Sequence, residues 1–287
     1  MSKQLRENRI ATIDRLMNEH PDLNAQLHLY KAIFRAQEKA RAALHSKAAM
    51  EWGSHLAIKE LEQRALASKK PLVSFLNLRT SDEGILLETF RQVAEGLMQQ
   101  EIAAGELRSL LAKLDTGEFD VKKLVGAALG EGMKVFEEYA ERLDVEPDLL
   151  FFIIDMSIQP FLEGIAESVS TFFLEKWWQA FCPVCGRRPI VARLVNRKRY
   201  LICSLCGAEY LADLFLCTYC GNVDPQTLKF LVIDGRPECQ IDFCEKCKHY
   251  LKIIDESCLK TPIPKGLEDL LTLNLDTTAK DAGLVRD

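Results

Sequence analysis

The chain has 287 residues, 48% of them apolar and 28% charged, with a net charge of −5. That balance excludes a disordered tail and removes any global electrostatic pull toward nucleic acid. The length is enough for two domains, and the charge is uneven: residues 1–180 carry 22 basic and 28 acidic side chains, residues 181–287 carry 15 and 14.

The N-terminus, MSKQLRENRI, is charged and has no apolar core segment, so no secretory signal is visible and a reducing cytosol is expected. Apolar residues then recur at helical spacing through Ile10, Ile13, Leu16 and Met17, and again through Leu27, Tyr30, Ile33 and Phe34, with Pro21 between the two runs. Thr80 and Glu83 have capping-box spacing ahead of Ile85, Leu86, Phe90 and Val93, which predicts a helix start near residue 81. Asp115 to Asp120, with Gly117, reads as a loop. A helix carrying Leu124, Ala128, Val135 and Phe136 follows, and Pro147 opens the next. Leu149 to Phe161 is the most apolar stretch, but Asp155, Gln159 and Pro160 interrupt it well short of the roughly 20 residues a bilayer crossing needs. It is expected to be a buried core helix, kinked or ended at Pro160, without membrane insertion. The whole region reads as a bundle of six to eight helices.

No catalytic constellation emerges there. His20, His28, His45 and His55 are scattered, with no paired carboxylate or nucleophile around them. Gly126, Gly130 and Gly132 lack the preceding strand that a phosphate-binding loop requires.

The chemistry lies further on. Cys182/Cys185, Cys203/Cys206, Cys217/Cys220 and Cys244/Cys247 form four Cys-x-x-Cys pairs within 66 residues. Each pair offers two sulfurs on one tight turn, and two pairs satisfy the four-coordinate preference of a closed thiolate site. Sequential pairing puts 17 residues between the first two pairs and 23 between the last two; an interleaved pairing is also open. Disulfides are disfavoured in a reducing compartment, and a thioredoxin-type dithiol lacks its strand–helix context. Gly186, Gly207 and Gly221 follow the first three pairs, and glycine reaches positive φ without a clash. Lys248 follows the fourth, whose turn is expected to be the less regular. Cys239 and Cys258 stand outside the pairs and are expected to be small buried apolar residues. His249 could displace a sulfur but is not needed for a full tetrathiolate set. Arg187, Arg188, Arg193, Arg197, Lys198 and Arg199 form one basic patch, suited to a solvated hairpin, an acidic partner or phosphates.

The run Trp178-Gln-Ala-Phe-Cys182-Pro-Val-Cys185-Gly186, Pro189, and Arg199-Tyr200-Leu201-Ile202-Cys203 resembles the formate dehydrogenase accessory protein family, FdhE. The likeness continues through Cys244-Glu-Lys-Cys247-Lys-His-Tyr250-Leu251-Lys252 to the tail Leu267-Glu-Asp-Leu270-Leu271-Thr-Leu273-Asn-Leu275-Asp276, about residues 175 to 280. The resemblance implies an α+β protein: an N-terminal helical bundle followed by a small double rubredoxin-like or zinc-ribbon metal-binding domain. The expected domains are residues 1–178 (helical), 179–260 (a double metal ribbon with four cysteines to each site) and 261–287 (helical tail). It further implies a cytoplasmic, non-enzymatic assembly factor that binds the immature catalytic subunit of a formate dehydrogenase. The eight paired cysteines would hold two metal ions, zinc or iron. Rubredoxin-like electron transfer is the first alternative, and a nucleic-acid-binding ribbon the second.

Overall fold

The computed structural model describes residues 9–51, 55–76, 80–131, 133–259, 263 and 265–286, with side chains described outside 45–57, 80–82, 130, 131 and 133. The chain divides into two compact units, Met1–His55 with Leu76–Gly164 and Leu56–Phe75 with Ile165–Asp287. The sheet-bearing unit therefore also takes in residues 56–75 and 165–178, which belong to helical sequence.

The first unit is helical. It contains α1 (Arg9–Glu19), α2 (Asn24–Glu51), α4 (Thr80–Gln99), α5 (Ala104–Asp115), α6 (Val121–Gly126), α7 (Met133–Leu143) and most of α8 (Pro147–Ser168); α3 (His55–Ser68) and α9 (Thr171–Lys176) belong mainly to the second unit. The periodic residues Ile13, Leu16, Leu27, Ile33, Phe34, Leu86, Phe90, Val93 and Phe136 are all buried. Nine helical segments precede the sheet among the described residues, rather than six to eight. One reason is a π-helical turn at Ala127–Glu131, which splits the expected single helix around Ala128 into α6 and α7. The loop between α5 and α6 ends on Asp120, whose carboxylate accepts from the Lys122 N–H at 2.9 Å and caps α6. The expected start of α4 falls at Thr80, whose side chain is outside the described ones.

Helix α8 does not end at Pro160; it runs on to Ser168. Proline lacks the N–H that would bond the Met156 carbonyl one turn back. Gln37 on α2 supplies the missing donor, its Nε2 reaching the Met156 carbonyl and the Gln159 Oε1, both at 2.8 Å. Among the described residues α8 is the one helix long and apolar enough to cross a membrane by length and composition, but 67% of its most apolar window is buried within the protein. It also buries the polar Asp155, Ser157, Gln159 and Glu163, with Glu163 paired to Arg9 and Arg41.

The second unit is built on one six-stranded sheet of order β3-β2-β1-β6-β5-β4, comprising β1 (Val191–Val195), β2 (Lys198–Ile202), β3 (Glu209–Ala212), β4 (Leu228–Val232), β5 (Cys239–Cys244) and β6 (Tyr250–Asp255). It consists of two modules with the same order of parts: knuckle, two antiparallel strands, knuckle, third strand. β1, β2 and β3 pair antiparallel in the first, and β4, β5 and β6 in the second. A single parallel pairing of β1 with β6 fuses them. The β1–β2 turn is two residues long, with Asn196 and Arg197 both at positive φ (51° and 63°), the geometry that matches strand twist. Helix α10 (Leu273–Asp281) covers β5: Leu275 and Ala279 pack with Cys239, Ile241 and Leu284. Mixed helices followed by a sheet carrying the cysteine pairs is the expected α+β class.

Candidate metal centre

Each Cys-x-x-Cys pair sits on a turn closed by the same two backbone bonds. The first cysteine's carbonyl accepts from the N–H four residues on, at Gly186, Gly207, Gly221 and Lys248, over 3.0, 2.9, 3.0 and 2.7 Å. Its N–H donates to the carbonyl five residues on, at Arg187, Ala208, Asn222 and His249, over 2.9, 3.0, 2.8 and 3.1 Å. The residue after the second cysteine is left-handed in all four, with φ of 81°, 66°, 72° and 63°. The fourth turn is thus as regular as the others, contrary to the expectation from Lys248. That lysine adopts the left-handed conformation at a cost of roughly 1 kcal/mol, and its carbonyl is held by the Val285 N–H at 2.9 Å.

The strand order brings the pairs together sequentially. Cys182, Cys185, Cys203 and Cys206 form one quartet, and Cys217, Cys220, Cys244 and Cys247 the other, with all four sulfurs of each within 4.8 Å of one another. The closest contacts are Cys185–Cys203 at 3.3 Å and Cys182–Cys206 at 3.4 Å in the first, Cys217–Cys247 at 3.6 Å and Cys220–Cys244 at 3.8 Å in the second. A tetrahedral ion with metal–sulfur bonds of about 2.3 Å needs sulfur–sulfur edges of about 3.8 Å. Both quartets fit that donor set, and each could hold one ion. No other group of three or more such ligating side chains comes together among the described residues. Of the scattered histidines, His20 and His28 join no such group, and the side chains of His45 and His55 lie outside the described ones.

The sulfurs sit in a field that separates their acidities. In the first quartet, burial pushes the Cys203 thiol up, but bonds from Cys182, Cys185 and Cys206 outweigh it and hold Cys203 well below the usual range. The hydrogen bond with Cys182 and burial raise Cys185 in turn. In the second, burial raises Cys244, yet the N–H groups of Cys247 and Lys246 and the Asn222 amide bring it down to about 7. Burial and the neighbouring Cys220 and Cys217 push Cys247 up to about 12. Four ionised sulfurs so close together require a cation among them, which is what a divalent ion supplies.

The surroundings of the two quartets differ. A short 3-10 turn, Leu72–Phe75, lies along the first knuckle: the Leu72 N–H donates to the Pro183 carbonyl at 2.9 Å and the Val73 N–H to the Val184 carbonyl at 3.0 Å. Beside the second, the Tyr219 and His249 rings stack with centroids 3.2 Å apart, and His249 Nδ1 lies 2.9 Å from the Cys247 carbonyl rather than among the sulfurs. The Arg188 guanidinium reaches over from the first module, donating to the Thr218 and Tyr219 carbonyls at 2.8 and 2.7 Å and lying over the Tyr219 ring.

The six-residue basic patch is not one surface. Arg193 is buried against Glu268 and Glu256, and Arg199 is buried with the Asp213 and Leu216 carbonyls and Asp242. Arg188, Arg197 and Lys198 are the exposed members. Cys239 is buried in the α10–β5 core as expected, whereas Cys258 is exposed, because it falls on a short 3-10 turn after β6. Sequence reasoning missed Asn222, the 72–75 turn and the partners of Lys252, each of which meets its own partner across a stretch of chain: Cys244, the Pro183 and Val184 carbonyls, and Asp269 with Asp276.

The family description "FdhE, central domain" matches residues 181–212, the first module. A Protein FdhE homolog of Aquifex aeolicus is 32% identical over 147 residues, covering 50% of this chain and 51% of that protein. A Protein FdhE homolog of Shewanella sp. (strain MR-4) is 33% identical over 110 residues, covering 37% and 35%. The chain thus spans about half, or less, of the length of these curated relatives. The crystal structure of the FdhE protein from Pseudomonas aeruginosa superposes with a TM-score of 0.67 at 20% identity, covering 100% of this chain and 94% of that one, and shows the same fold. The first module thus matches the central domain of FdhE proteins, about half of the chain aligns with a protein named as an FdhE homolog, and the fold is that of a solved FdhE protein.

Proposed function

We propose that the protein is a cytoplasmic assembly factor that binds the immature catalytic subunit of a formate dehydrogenase and carries two structural metal ions, one on each cysteine quartet. The observation that carries this reading is the pair of complete tetrathiolate sets fused through one sheet. A closed set of four sulfurs leaves no open position for Lewis-acid chemistry, so its effect is to fix a surface rather than to turn over a substrate. The link to formate dehydrogenase comes from the resemblance of the cysteine-rich half to formate dehydrogenase accessory proteins, and the relatives carry the name FdhE homolog. The ribbon of residues 179–260 presents Arg188, Arg197 and Lys198 to solvent as contacts for a client, with residues 1–178 as a helical domain and 261–287 as a tail that docks on the ribbon. Affinity purification from an anaerobic host is the test. Co-purification of a formate dehydrogenase catalytic subunit is expected; its absence from protein with intact metal content overturns the reading.

A second reading, rubredoxin-like electron transfer during maturation, is favoured by the solvent-facing Cys220 of the second quartet, since four thiolates also suit iron. Oxygen-free protein that is coloured and bleaches reversibly supports it. Colourless protein with two equivalents of zinc rules it out.

A further inference from the structure

We propose that the two quartets differ in kinetic grip: the second is the exchangeable site, loaded and emptied through Cys220, while the first is locked. This rests on the metal-binding part of the function proposed above, but not on the client.

The asymmetry is built from three observations. All four sulfur-bearing residues of the first quartet are buried, whereas in the second Cys220 is exposed and Cys247 half-buried. The backbone N–H groups of Leu72 and Val73 are bonded to the Pro183 and Val184 carbonyls within the first knuckle, and Pro71 lies against Gly186 so closely that a Cβ there would come within 3.1 Å of it. Val184 and Leu205, inside the two turns of the first quartet, are buried too. Among the described residues no such cover lies over the exposed Cys220, and the Tyr219–His249 stack lies on the Cys247 side.

Exchange at a tetrathiolate site is associative: an incoming donor must approach while one sulfur departs, so access decides the rate. In the second quartet Cys220 can swing into solvent with little loss of packing. The departing thiolate is hydrated at once, and an incoming thiol or chelator takes its place with no change of oxidation state. Cys217 and Cys244, both buried, keep the remaining hold. Any sulfur leaving the first quartet would instead pass, unhydrated, into packed apolar surroundings.

The test uses the full chain, zinc-loaded without oxygen. An excess of a colorimetric chelator is added, and samples are quenched at intervals with iodoacetamide for peptide mass spectrometry. Two phases of equal amplitude are expected, with rates differing about tenfold or more because exposure differs. The fast phase should coincide with alkylation of Cys217, Cys220, Cys244 and Cys247, and Cys182, Cys185, Cys203 and Cys206 should stay unlabelled until the slow one. Protein isolated with a single ion should be unprotected at the second quartet. Release in one phase with both quartets labelled together overturns the proposal, as does earlier labelling of the first quartet. Failure to take up zinc at all removes the metal reading and this inference with it, whereas simultaneous release of two ions removes only the asymmetry.

Discussion

Lys252, fully buried on the central strand β6, places its Nζ 2.9 Å from the Asp276 carboxylate of α10. The same ammonium contacts Asp269 at 2.5 Å and the Asp269 and Thr272 carbonyls, and Arg286 closes the ring onto both aspartates. Tyr250, two residues before Lys252, donates its hydroxyl to Asp276 at 2.6 Å. The tail is thus fastened to the sheet by a charge cluster rather than by leucines alone. Removing one member of a buried cluster leaves the others uncompensated. Lys252→Met is expected to lower stability by about 3 kcal/mol, and Asp276→Asn by less because Asp269 remains. Urea unfolding of metal-loaded protein, with the exposed Lys280→Met as a control near zero, checks this.

The cluster also gives a pH dependence of definite sign. Burial works against the Asp269 carboxylate, but Lys252 and Arg286 outweigh it and hold it below the usual range. A depressed carboxylate contributes stability that is complete above its unfolded value, near pH 4, and is lost as pH falls through the folded one. Asp269→Asn should therefore be less stable than the parent at pH 7 and converge toward it below about pH 4. A gap that persists unchanged into acid would show that Asp269 does not act through its charge. Because acid also strips thiolate sites, the comparison is made on both proteins at equal metal content.

Much of the centre was legible in the sequence, because ligand spacing is a local property: the four cysteine pairs and the three glycine-closed turns follow from distances of two to five residues along the chain, whereas the choice of sequential over interleaved grouping comes from the strand order. Tyr250-Leu251-Lys252 and Leu275-Asp276 were visible as separate words. That they bond each other was not, since nothing local says which carboxylate neutralises a lysine in a central strand. The basic patch failed for the same reason. Arg193 and Arg199 look like surface charge until the sheet places Glu268 and Asp242 against them. Where α8 continues past Pro160, the Met156 carbonyl takes its hydrogen bond from Gln37, more than a hundred residues away.

The outer cysteines separate packing from ligation. Cys203→Ser should abolish ion retention at the first quartet and unfold its module, because thiolate–metal binding contributes on the order of 10 kcal/mol to small domains. Cys258→Ser, at an exposed position, should change neither metal content nor stability. Cys239→Ser should keep two ions yet lose about 1–2 kcal/mol, since it sets a hydroxyl among Ile241, Leu275 and Leu284. Element analysis with thermal unfolding distinguishes the three; metal loss in Cys239→Ser would overturn the ligand assignment.

Arg188 ties the two modules together where the second quartet begins. Its guanidinium makes two bonds to adjacent carbonyls and covers the Tyr219 ring. Arg188→Ala should cost about 1–2 kcal/mol, while Arg197→Ala, at the tip of the β1–β2 turn, should fall within about 0.5 kcal/mol of the parent. Arg188→Lys should not restore the loss, because a point charge cannot serve two carbonyls and a ring face at once. Equal effects of Arg188→Ala and Arg197→Ala would mean that neither is a clamp.

The Gln37–Met156 bond predicts a coupling that can be read in a double-mutant cycle. In the parent, Pro160 leaves the Met156 carbonyl without its helical donor, and Gln37 Nε2 fills the vacancy from α2. Gln37→Leu strands that carbonyl in a buried setting, and should cost about 1–3 kcal/mol. Pro160→Ala restores a backbone N–H that can bond Met156 from within α8. With that donor present the glutamine is no longer needed there, so Gln37→Leu should cost at least about 1 kcal/mol less in the Pro160→Ala background than in the parent. Gln37 also bonds Gln159, a contact the proline change leaves alone, so part of the penalty should remain. Strictly additive losses would show that the glutamine stabilises α8 through Gln159 alone, and that the helix tolerates Pro160 without help from α2.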